Sequence, residues 1–135
     1  MIRDYYFALD PGGAGGVVCK FVNSTDVSFG ASFYEERMNI EGAAGATVSV
    51  QIIQFINTND DPLTVGNGLF VNNLRRDLNF IFTVTLDGTG NGSFLAKVKG
   101  NPVNTGTVML GKFQIIGVST GTIGSPNTKQ ISKTF

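Results

Sequence analysis

Apolar residues recur at every second position through most of this chain, and the runs are cut at short intervals by clusters of Gly, Asn, Asp and Pro. Val27, Phe29, Ala31 and Phe33 form one such series, Val48, Val50 and Ile52 a second, and Phe80, Phe82, Val84 and Leu86 a third. In an extended chain successive side chains point to opposite faces, so each series predicts a strand with one buried face. The intervening segments DPGGAGG, VNSTD, EGAAGA, NTNDDP, VGNG, DGTGNG, GNPVNTG and STGTIGSPN are rich in turn formers. Short strands at this spacing predict an all-β fold, a single-domain antiparallel β-sandwich of Ig-like or jelly-roll type over residues 1–135. At most one short helix fits, in YEERMNIEG at residues 34–42, and that stretch reads equally well as extended.

Two strands change phase. In TVSVQIIQFI the apolar positions pass from Val48, Val50 and Ile52 to Ile53 and Phe55, as a bulge or a move between sheets would produce. TVMLGKFQIIGV does the same around Gly111, with Val108 and Leu110 before it and Phe113 and Ile115 after. The most motif-like stretch, TVTLDGTGNGSFLAKVKG, offers calcium-loop ligands at Asp87 and Asn91. It has Thr89 at the third loop position and Val98 at the twelfth, where a bidentate Glu is required. A hairpin satisfies it better, with Phe80 to Leu86 on one side and Phe94, Ala96 and Val98 on the other sharing a buried face.

The 135 residues and 11 Phe suit one domain with a core of its own. Charged residues make up only 15% of the chain, against about 25% in soluble domains at large, so Thr, Ser, Asn, Gln and Gly must form much of the surface. Ten basic residues balance ten acidic ones, and only Arg75 and Arg76 concentrate positive charge, which argues against a nucleic-acid groove. The longest uncharged stretch, Gly42 to Asn59, alternates and holds glycines, unlike a membrane span. The opening MIRDYYFALD has no apolar run of signal-peptide length, so export by that route is not expected, and the sequons at Asn23 and Asn91 are discounted accordingly.

The absence of histidine excludes Ser-His-Asp and Cys-His nucleophile systems and imidazole ligation of zinc. Cys19, the single cysteine, reads as a small apolar strand residue in VVCKF. Neighbouring strand residues face opposite ways, so neither Glu35 with Glu36 nor Asp60 with Asp61 makes an acid-base pair by itself. GTVMLGKF matches G-x-x-x-x-G-K but has Phe113 where a magnesium-holding hydroxyl belongs, and it lies in an alternating strand context. PGGAGG lacks the flanking strand and helix of a dinucleotide loop. No catalytic, cofactor or metal residues are therefore assigned.

The residual expectation is a non-enzymatic structural subunit of a larger assembly. The type closest in character is a bacteriophage virion protein, a capsid decoration or cement protein or a tail or fibre component, assembled in the host cytoplasm. Its partners would be copies of itself or coat-protein subunits, with neither nucleic acid nor membrane. MIRDYYFAL and TKQISKTF could each add a strand to a neighbour, and Tyr5, Tyr6, Phe7, Ile131 and Phe135 are the expected interface residues. The alternative is a carbohydrate- or cell-surface-binding β module, calcium-assisted, using Asn57 to Asp61 with a nearby tyrosine.

Overall fold

The alternating segments become strands of two sheets packed face to face in the computed structural model, which describes residues 16–58, 67–100 and 106–135. Among them are β1 (Val18–Phe21), β2 (Thr25–Gly30), β3 (Phe33–Glu41), β4 (Thr47–Asn57), β5 (Gly68–Val71), β6 (Leu74–Arg76), β7 (Ile81–Thr85), β8 (Asn91–Lys99), β9 (Val108–Val118), β10 (Thr122–Ile123) and β11 (Thr128–Thr134). The larger sheet runs β10-β1-β3-β8-β5-β6, with β2 also on β3, and the smaller runs β11-β9-β4-β7. All pairings are antiparallel except the short parallel contact of β1 with β10. The fold is thus an all-β sandwich, and the described residues include no α-helix and no helix able to cross a membrane.

YEERMNIEG lies in extended backbone as most of β3, paired residue by residue with β8 from Phe33↔Lys99 to Glu41↔Asn91. A full ladder on one edge and burial of Met38 and Ile40 outweigh its helical composition. The first alternating series, by contrast, spans two strands. A turn at Ala31 and Ser32 joins β2 to β3, so Phe33 pairs with Gly30, and every residue of β2 up to Phe29 is exposed.

DGTGNG also departs from the hairpin expectation. Its turn forms, but β7 belongs to the smaller sheet and β8 to the larger, so the loop carries the chain across the sandwich. The apolar faces do share one core, meeting from opposite sides, with the Phe82 and Phe94 rings 4.9 Å apart and edge to face. The backbone hairpin lies instead between β5 and β6, where Asn72 and Asn73 both have positive φ as a two-residue turn of right-handed strands requires.

The phase change in β4 is a bulge: Ile52 pairs with Phe113 and Gln54 with Lys112, which leaves Ile53 unmatched. In β9 the bulged residue is Ile116 rather than one near Gly111. Met109, Gly111, Phe113 and Ile115 form an unbroken buried face, and Val108 and Leu110 face the other way. Gly111 is glycine because the Leu69 side chain of the opposite sheet lies where its Cβ would be.

The buried side chains make one cluster, with Phe21, Met38, Ile40, Leu69 and Phe94 from the larger sheet and Val48, Val50, Ile52, Phe113, Ile115 and Ile131 from the smaller. Cys19 is part of it, and burial raises its thiol pKa. The sheet-crossing loop is locked beneath this core at Gly90, whose N–H donates to the Asp87 carbonyl and whose own carbonyl accepts from Gly42 N–H. Gly90 has φ of 81°, and a Cβ there would run into the Gly42 carbonyl oxygen. Gly45 has φ of 74° with open space around its missing Cβ. Gly90→Ala is therefore expected to lower unfolding free energy by about 2–3 kcal/mol, and Gly45→Ala by only about 1 kcal/mol, in urea titrations of both variants. Equal losses would remove the steric part of this account.

Candidate interaction surface

The residues expected at an interface are placed unevenly. Tyr5, Tyr6 and Phe7 lie outside the described residues. Ile131 is 1% exposed and belongs to the core, because β11 turns its alternate side chains under the smaller sheet toward the larger one. It can support a neighbouring subunit only through its backbone. Phe135 is half-buried against the core, with its ring in the space left by Gly100 and the Lys133 ammonium 5.5 Å from the ring centre.

The other sequence candidates do not converge. Of Asn57 to Asp61, only Asn57 and Thr58 lie among the described residues. Arg75 and Arg76 line an open surface depression of about 360 Å³ with Asp77, Leu78, Asn79 and Phe80, and the Arg76 guanidinium rests 4.4 Å over the Phe80 ring. Asp87 closes its own turn: its Oδ1 accepts from the Thr89 N–H and hydroxyl and from Asn91 N–H at 2.7–3.0 Å. Those bonds, the Thr89 hydroxyl foremost, hold its pKa below the ordinary carboxylate value. No group of three His, Cys, Asp or Glu side chains able to hold a metal occurs among the described residues.

What does stand out is where the two sheets fail to match. The larger sheet continues past β3 to β2, while the smaller sheet ends at β11, which packs over β3 and β8. Beside β1 this side is sewn shut. Phe21 N–H donates to Pro126 O at 2.9 Å, in the segment leading into β11, and Lys129 Nζ of β11 donates to Val22 O at 3.2 Å. Beside β2 no hydrogen bond joins the sheets among the described residues. There Phe29 is 73% exposed and Val27 51% exposed, although both point to the inner side. Phe29 pairs with Tyr34, which shares its face with Glu36, Met38 and Ile40, and Val27 lies two residues before Phe29.

The floor of this gap is Tyr34 and Glu36. A bulge sets Asp26 and Val27 together opposite Glu36, and Asp26, with φ of 53°, turns outward to bond Arg37 Nε at 3.0 Å. Glu36 is 8% exposed, a carboxylate on the core face of the sheet. The Tyr34 hydroxyl donates to its Oε2 at 2.7 Å, and its Oε1 accepts nothing from the described residues. Glu35, one position earlier, points outward to Ser28 and Lys97. The adjacent glutamates thus face opposite ways, as strand geometry requires. The outer edge of β11 and the outer edge of β2 both carry unpaired backbone groups among the described residues. The gap therefore combines an uncovered aromatic, a buried acid and two open strand edges.

Alternation marks Phe29 as an inward residue, and it is one; its exposure follows from the smaller sheet stopping a strand short, which local sequence does not encode. Compared with protein-family models, with curated proteins and with solved structures, the chain matches none.

Tyr34 reports on this gap. Its bond to Glu36, then burial, then the charge of Glu36 raise its pKa above the ordinary tyrosine value of 10.0. The folded state thus favours the neutral phenol, and this contribution to stability is complete below about pH 10 and lost as pH rises through the folded-state value. In an ultraviolet pH titration one of the three tyrosines should ionise later than the others, and Glu36→Gln should bring it back toward them. Three tyrosines titrating together would contradict the contact.

Proposed function

We propose that this chain is a non-enzymatic structural subunit of a larger assembly, acting by subunit packing and strand addition. The observation that carries the reading is the uncovered inner face of β2 beside the open edge of β11. An apolar ring that is 73% exposed on the core-facing side of a sheet is a poor terminus for a free monomer and a good seat for a neighbour. Open edges supply directional backbone bonds, and the half-covered face supplies apolar area. The low charge of the chain suits close packing of copies, since few ions need to lose their hydration. Of the assemblies such a subunit could serve, we place it in a bacteriophage virion, as a capsid decoration or tail component bound to copies of itself or to coat subunits.

Light scattering coupled to size-exclusion chromatography tests this directly. The purified chain should have a mass at least twice that of its 14.3 kDa monomer, stable on dilution through the micromolar range. A strict monomer that binds glycans on an array would overturn the assembly reading in favour of a surface-binding β module.

A further inference from the structure

The gap between β2 and β11 has an uncovered apolar face and two strand edges left open among the described residues, and the question is what fills it. We propose that it accepts residues 3–9 of a second copy of this chain, added as an extended strand beside β11. This inference rests on the assembly reading above and names its contact.

Three features of the gap define the occupant. The strand must be apolar on the face turned to Val27, Phe29 and Tyr34, because that surface is uncovered. It must present a cation or strong donor to Glu36, whose Oε1 lacks a partner among the described residues. An unpaired buried carboxylate oxygen is costly, and a guanidinium satisfies it with charge-assisted bonds. It must also be extended, to use the edge of β11 that is open among the described residues. In IRDYYFAL the odd positions are Arg3, Tyr5, Phe7 and Leu9, so one face of an extended strand carries a cation at its start followed by two aromatics and Leu. With Arg3 at Glu36 its methylene stem lies at the level of Val27, Tyr5 falls level with Tyr34 and Phe29, and Phe7 with the turn at Ala31 and Ser32. The opposite polarity would drive the aromatics toward β1, where the Phe21–Pro126 and Lys129–Val22 bonds close the side.

The same placement identifies the donor as another copy. β1 pairs Lys20 with Glu41 and Phe21 with Ile40, so the chain enters the sheet at the end remote from β2. A strand running from Glu36 past Tyr34 puts Leu9 roughly 35 Å along the sheet from the level of Glu41, at about 3.3 Å per residue. The seven steps from Leu9 to Gly16 of the same chain reach at most about 25 Å. The segment therefore cannot fill its own gap in this register, and it can fill a neighbour's.

The test uses the full-length chain throughout. Wild type should be an oligomer by light scattering. Arg3→Glu and Phe29→Ser should each weaken the assembly by about tenfold or more. An excess of a synthetic peptide of residues 1–10 should dissociate it, and the same peptide with Glu at position 3 should not. Combining Arg3→Glu with Glu36→Lys should restore assembly, a result that a merely structural role of Glu36 would not produce. If the charge-swapped chain does not fold, the two single variants and the peptide competition decide. A wild-type oligomer indifferent to both variants and to the peptide overturns this contact while leaving the assembly reading intact. A wild-type monomer overturns both, including the case in which Arg3→Glu lowers its melting temperature, which would mark a segment folded onto its own chain.

Discussion

The sandwich is organised around one aromatic contact set. The Phe94 ring, on the central strand of the larger sheet, meets Phe82 and Phe113 of the smaller sheet at 4.9 Å each and Phe21 of β1 at 6.4 Å, all edge to face. Edge-to-face packing fixes angle as well as distance, so these four rings set how the sheets lie on one another. The apolar pairs Leu69 over Gly111 and Val84 over Gly92 follow from that alignment. So does the mismatch at β2, because once Phe94 is centred under β9 and β7, β11 is the last strand of the smaller sheet among the described residues, and it packs over β3 and β8.

Much of this was legible along the chain. The period of two identified the core faces of β4, β7 and β8, since Val48, Val50, Ile52, Val84, Phe94, Ala96 and Val98 are all buried. It also located the bulge at Ile53. What it could not convey is which strand lies beside which. DGTGNG has the same local chemistry whether its flanking strands pair or cross between sheets, and only the contacts of Phe82 and Phe94 with distant residues decide. The error at Gly111 is of the same kind. Its neighbours can be read in either phase, and the choice is made by Leu69, which comes from another sheet. The candidate site was the least legible, because exposure of an inward residue is a property of the opposite sheet. Glu36 gave no signal of its own, being one of two glutamates whose difference is only which face each takes.

The two outer faces also differ in character. On the larger sheet, Glu35, Arg37 and Lys97 are drawn into ion pairs and hydroxyl contacts with Ser28, Asp26 and Ser93. On the smaller sheet, cross-strand rows such as Thr47 with Thr85 and Ser49 with Thr83 put uncharged hydroxyls side by side. Hydroxyl rows carry no like-charge repulsion, so this face tolerates a neighbour without specifying one. The β2 side, with its acid and aromatic, is where specificity can reside.

The cross-sheet connections have a further consequence, for the order of events in time. β3 finds its ladder in β8, and β4 finds its own in β9, each some sixty residues further along the chain. The larger sheet has all its strands but the two-residue β10 by Lys99, whereas the smaller sheet waits for β9, and β11 must follow before the core is sealed by Ile131. Such a chain has few local contacts to reward early collapse, so its folding belongs to the slow range of roughly milliseconds to seconds. During synthesis β4 waits with one edge unpaired until β9 follows, and a ribosome-bound chain of this kind is exposed to strand exchange with its neighbours before it has a sandwich of its own.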